Sequence, residues 1–227
     1  MFSLFSFIRN GDTLGAIMFV LSGCFVVFIC SPIHELAHGY AAYKLGDKTA
    51  KNQGRLTFNP LHHIDPIGMI MILVFGFGYA KPVPININRL KNPKRDVAIV
   101  SLAGPLSNLV LAFISNFLCY TVCYFVDIWS NKFGYIVAIF FLYSASINMM
   151  LCVFNLLPIP PLDGSKVLAS LLPTKAYYKY MQYEKYAMIV LLVLLATGIL
   201  SPVLSDISSA LMDFISIIPR LIFKIEV

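Results

Sequence analysis

The sequence predicts an all-α polytopic membrane protein of about five transmembrane helices, with one short apolar segment that enters the membrane and returns. Three observations carry this. Of 227 residues, 59% are hydrophobic and only 12% charged, about half the charged share of an ordinary soluble domain. Mean hydropathy is +0.79. The apolar residues are gathered into stretches near the roughly 20 residues that a helix needs to cross hydrocarbon, with Lys and Arg in short runs between them.

In chain order, the helices are expected at about 13–45, 97–126, 133–157, 184–200 and 207–223, with Ser201 and Pro202 breaking the last two apart. The stretch 67–80 is apolar but short, flanked by Pro66 and Pro82 and carrying Gly68, Gly76 and Gly78. Lys44, Lys48, Lys51 and Arg55 precede it, and Lys81, Arg89, Lys91, Lys94 and Arg95 follow. Were it to span, two basic loops would face opposite sides, against the positive-inside tendency. A re-entrant hairpin shielded by protein, either a strand pair or an unpaired plug, keeps both loops on one side. The loop 127–132 is nearly neutral, whereas Lys166, Lys175, Lys179, Arg220 and Lys224 fall on the basic side. The expected topology is a multi-pass cell-membrane protein with its N-terminus outside. No repeat, low-complexity tract or polar linker divides it, so residues 1–227 are expected to form a single domain.

Composition also narrows function. The formal charge of +6 is dispersed over loops and forms no continuous basic face, so no nucleic-acid partner is expected. Five cysteines lie inside apolar segments with no C-x-x-C pair, which reads as buried free thiols. Residues 1–12 hold one Arg and no small-residue cleavage site, so a removable signal peptide is not expected.

The chemistry begins at His34-Glu35-Leu36-Ala37-His38. Residues i and i+4 share a helix face, so both imidazoles can bind one Zn²⁺. Glu35, beside the first ligand, is placed to take a proton from water activated at the metal. With four His and three Glu in the whole chain, a chance match is rare. Ionisable groups at membrane depth are costly and mark function. A third protein ligand is required, with one position left open. Candidates are His62, His63, Asp65, Asp163 and Glu184. Asp163 is favoured because it follows the return of the third helix to the side on which His34 and His38 lie. Prolines interrupt the helix there, and Gly164 relieves crowding after the carboxylate, although an Asp before Gly is also an ordinary turn. Glu184 sits beside Lys185 as a surface pair would. His62 and His63 open the re-entrant segment, as loop residues or as a gate to the metal.

HELAHGY followed by NLLPIPPLDG resembles the site-2 protease family of intramembrane zinc metalloproteases, specifically its short bacterial members. The likeness extends through YKLGDKTAKNQGRLTFNPLHHIDPIG and AKPVPIN. It implies a three-helix catalytic core made of the first three helices and one zinc per chain, held by His34, His38 and Asp163, with Glu35 as catalytic glutamate. The active site would then lie near the cytoplasmic side. The resemblance also implies that Asn155 positions the substrate or the reaction's oxyanion. Asn108 matches the family's glycine-and-asparagine motif, AGPLSN, as a substrate contact or as interhelical glue, and Gly104 there would allow close helix approach. The substrate implied is a membrane protein with a transmembrane segment, met in the lipid bilayer. Many relatives carry a PDZ or nucleotide-sensing domain, and regulation by either is not expected here. A metal transporter and an inactive helix-binding scaffold are the rival readings. The transporter leaves Glu35 unexplained and lacks internal repeats, while a scaffold has no need to retain Glu35.

Overall fold

The computed structural model describes residues 4–63, 65–75, 81–173 and 184–224, with residues 176, 180 and 182 between the last two. Its regular structure is helical. Helix α1 is Leu4–Arg9. Helix α2, Thr13–Lys44, is a continuous apolar rod of 32 residues. Asp12 caps its start by accepting from the Gly15 N–H at 2.8 Å. A π-helical turn, Val26–Cys30, interrupts its α-helical register. Pro32 has no N–H to give the preceding turn, and the Ser31 N–H reaches back five residues to the Val26 carbonyl.

Helix α2 stops at a Schellman motif. Gly46 takes φ +114°, the Gly46 N–H donates to the Tyr43 carbonyl, and the Asp47 N–H donates to the Ala42 carbonyl at 2.9 Å. Helix α3, Pro66–Phe75, follows a loop and is capped by Asp65, whose Oδ1 accepts the Ile67 and Gly68 N–H groups at 3.0 Å. The ten described residues of α3 rise about 15 Å, half of a hydrocarbon core. Over these residues the short apolar segment is helix and not a strand pair. Proline at the first helical position and a capping Asp favour that choice. Residues 76–80, the rest of the expected re-entrant segment, lie outside the described residues.

Helix α4 is Pro93–Phe125 and α5 is Lys132–Asn155. With α2 they are, among the described residues, the three single helices long and apolar enough to cross a membrane. Helix α6, Asp163–Leu171, is short and packs on α4. Helices α7, Glu184–Ala196, and α8, Leu200–Phe223, turn by 81° at Gly198, whose φ is +72°. Five apolar helices occur in the expected order, but the last two form a bent pair that counts as one broken span or a re-entrant loop. The break falls at Gly198, earlier than Ser201 and Pro202, which lie in the first turn of α8, where proline is tolerated.

Two apolar clusters hold the helices together. Phe7, Phe19 and Val26 pack on Tyr143 and Ile147 of α5. Ala112, Met149, Phe154, Leu191 and Leu204 join α4 and α5 to the bent pair. Asn116 Nδ2 donates to Ser216 Oγ at 2.9 Å, tying α8 to α4. Large apolar side chains such as Ile17, Val110 and Ile217 face outward while Ser22, Asn108 and Asn148 are buried. That arrangement suits a protein whose solvent is lipid. His34, Glu35 and His38 of α2, Ser101 and Asn108 of α4 and Asp163 of α6 line one cavity.

Candidate metal centre

His34 and His38 stand one turn apart in the C-terminal half of α2, their rings T-shaped with centroids 4.7 Å apart. Asp163 arrives from the other side of a cavity of about 560 Å³. Its placement depends on Gly164, where a Cβ would collide with the carbonyls of Leu156 and Leu157. The chain can therefore fold back tightly on the end of α5 and aim the carboxylate at α2.

The resulting distances test whether a metal fits. His38 Nε2 lies 3.1 Å from His34 Nε2 and 3.1 Å from Asp163 Oδ2, and His34 Nε2 lies 3.5 Å from the same oxygen. Zinc bonds of 2.0–2.1 Å at tetrahedral angles give ligand-to-ligand edges of about 3.3 Å. The triangle has the size of one face of a zinc tetrahedron. His38 Nδ1 donates to the Val100 carbonyl at 2.7 Å. A carbonyl only accepts, so in the neutral ring Nδ1 carries the proton and Nε2 presents a lone pair. That lone pair, a carboxylate oxygen and a second imidazole nitrogen converge within 3.1–3.5 Å, a donor set suited to a cation. All three residues are buried, and they are the group of this kind among the described residues.

Gly104 on α4 faces the triangle, and a Cβ there would overlap His38 Nε2 and stand 2.6 Å from His34 Nε2. Asp163 supplies the one carboxylate of the set. Its second oxygen, Oδ1, receives Lys166 Nζ at 3.4 Å.

Glu35 is buried and lines the same cavity. Its Oε2 accepts the Val83 N–H at 2.9 Å, and Oε1 has no hydrogen bond among the described residues. Asn155, the last residue of α5, also lines the cavity, with Nδ2 donating to the Leu151 carbonyl at 3.0 Å. Asn108 lines it too, and its Oδ1 is buried without a partner. His62 is exposed and His63 is buried, with Nε2 donating to the Thr57 carbonyl at 2.9 Å. Neither borders the cavity. Asp65 is occupied as a helix cap, and the Glu184 side chain lies outside the described residues.

Two contributors had no signature in the sequence. The Val83 N–H and the Val100 carbonyl are backbone groups, to which residue type gives little clue. The proline flanks of Val83 were the nearest signal.

The model of peptidase family M50 matches residues 125–199. The chain is 45% identical over 183 residues to YwhC of Bacillus subtilis, a proposed zinc metalloprotease, covering 81% of this chain and 84% of that protein. It is 28% identical over 198 residues to Rip2 of Mycolicibacterium smegmatis, also a proposed zinc metalloprotease, covering 86% and 73%. The zinc metalloprotease MJ0392 of Methanocaldococcus jannaschii is 31% identical over 181 residues, 79% of this chain and 41% of that one. No solved structure matches. With this likeness and a buried His34, His38 and Asp163 group sized for zinc, the chain belongs to peptidase family M50, the site-2 protease family of membrane zinc metalloproteases.

Proposed function

We propose that the chain is a single intramembrane endopeptidase domain. It cleaves peptide bonds within or beside the transmembrane segment of a membrane-protein substrate, using one zinc held by His34, His38 and Asp163. The observation that carries this is the convergence of three buried ligand atoms 3.1–3.5 Å apart beside Glu35 in one cavity. Zn²⁺ bound there supplies Lewis acidity, which acidifies water and polarises a carbonyl oxygen. Glu35 is the proton carrier. With Oε2 held by Val83, Oε1 accepts a proton from the attacking water and returns it to the leaving amine.

Asn155 and Asn108 bind substrate backbone at the cavity wall, and an unpaired Asn108 Oδ1 suits an incoming N–H. Met71, Val97, Leu151 and Leu191 give the cavity apolar sides, matched to a segment that leaves lipid. A substrate helix ties its carbonyls to N–H groups four residues on, so it unwinds before it is cut. His62 and His63 act at most on access, from outside the cavity. The basic loops favour a site near the cytoplasmic face, with the N-terminus outside.

The test is cleavage of a panel of single-span membrane proteins by detergent-purified chain, wild type against Glu35→Gln, with zinc content measured in both. Cleavage should fall by about 10²–10⁴ in the variant while zinc stays bound. Equal cleavage by both would remove Glu35 from the mechanism.

A further inference from the structure

The segment 81–86 lines the cavity through Pro82, Val83 and Ile85 and is fastened along its length. The Lys81 N–H donates to the His63 carbonyl at 2.8 Å. The Arg55 guanidinium donates to the Lys81 and Pro82 carbonyls at 3.1 and 3.2 Å. At its far end the Asn86 N–H donates to Asp47 Oδ2 at 2.6 Å. Between these ties lie Pro82, Val83 and Pro84. Proline has no N–H, so these three residues offer a single backbone donor, and Glu35 accepts it.

Asp47 is built for this tie. It is 1% exposed, follows the Schellman turn that ends α2, and uses both oxygens. Oδ1 accepts the Thr49 N–H at 2.9 Å and the Thr49 hydroxyl, while Oδ2 takes Asn86. One carboxylate thus links the end of the helix that carries Glu35 to the strap that holds the Glu35 side chain.

We propose that Asp47 is a positioning residue for Glu35, acting through the strap 81–86 and the Val83 N–H that the strap presents to the carboxylate. It rests on the proposed role of Glu35 as proton carrier. Without the Asn86 tie the strap can shift, and Glu35 samples orientations from which its carboxylate does not reach the water. Misplacement of a catalytic group by about 1 Å can cost on the order of 10²-fold, so the loss belongs in kcat and not in zinc binding.

Two measurements on the full chain in detergent test this. In hydrogen exchange, a peptide covering 81–85 reports only the Val83 and Ile85 amides, because Lys81 becomes its free amine and Pro82 and Pro84 have no N–H. Asp47→Asn should speed Val83 exchange about tenfold or more, with zinc content unchanged. In cleavage of a single-span substrate, Asp47→Asn should lower kcat about 10- to 100-fold with little change in KM. Val83→Pro, which deletes the donor, should do the same. The two changes together should be no worse than Val83→Pro alone, since both act through one contact. Unchanged Val83 exchange in Asp47→Asn, or losses that multiply in the double variant, would overturn the proposal. If Asp47→Asn fails to fold, Val83→Pro with unaltered kcat overturns it by itself. Failure of the Glu35 assignment is distinguishable: Glu35→Gln would then cleave like wild type, while the exchange result would still report on the strap.

Discussion

Replacing Gly104 by alanine tests the closeness of α4 to the ligand face of α2. The added methyl would sit 2.6 Å from His34 Nε2 and closer still to His38 Nε2. An ordinary heavy-atom contact is about 3.5 Å, so the overlap with His34 is about 0.9 Å. Two effects oppose each other. Alanine is the better helix former by about 1 kcal/mol, which alone would stabilise the variant. Overpacking costs about 1–3 kcal/mol, and metal distances tolerate only about ±0.2 Å. The steric effect wins at the metal, where a ligand displacement several times the tolerance is required. Zinc affinity should fall at least about 10- to 100-fold, the range seen when ligand orientation is disturbed. Competition with a chelator of known affinity, on protein in detergent, reads this directly. Leu106→Ala, on the same helix but 52% exposed, is the control and should leave affinity unchanged. Gly104→Ala with zinc affinity within twofold of wild type would refute the packing of α4 against the ligands.

Asp163→Ala should lose zinc and cleavage together, as metal analysis of the purified variant will show; full zinc occupancy would remove Asp163 from the ligand set. For Asp47, burial raises the carboxyl, but hydrogen bonds from Thr49 and Asn86 and the nearby Arg89 outweigh it and hold the group below its ordinary value. A depressed carboxyl contributes stability above its unfolded pKa of about 3.9 and loses it as pH falls toward the lower folded value. Thermal melting should therefore decline below about pH 4, and Asp47→Asn should flatten that part of the profile. Asn116→Val breaks the buried bond to Ser216 and should cost about 0.6–1.7 kcal/mol in detergent unfolding with zinc content unaffected; a cost of zero would mean the bond does not hold α8 to α4.

Much of the centre was legible because its chemistry is tied to side-chain identity and spacing. His34 and His38 had to share a helix face, and charge placement brought Asp163 to the same side. The helix order followed from apolar length. What escaped notice depends on the backbone. Val83, Val100 and Asn86 contribute N–H or C=O groups that any residue but proline can supply in kind. The helical state of 66–75 was hidden by the short apolar run, in which strand, plug and helix have the same composition. The corner between α7 and α8 was assigned to Pro202, but proline fits a first helical turn, and Gly198 can take the left-handed conformation without strain.

The π turn at Val26–Cys30 acts as a phase offset within α2. One extra residue rotates everything beyond it by about 100° relative to an uninterrupted α-helix. The N-terminal half of the helix is keyed to Phe7, Tyr143 and Ile147, while the C-terminal half is keyed to Val100 and Asp163. Deleting one residue between 26 and 30 would leave either half intact in composition yet point the two imidazoles away from Asp163. The spacing between the membrane anchor and the metal ligands is thus a counted quantity, and an indel that a loop would absorb becomes inactivating here.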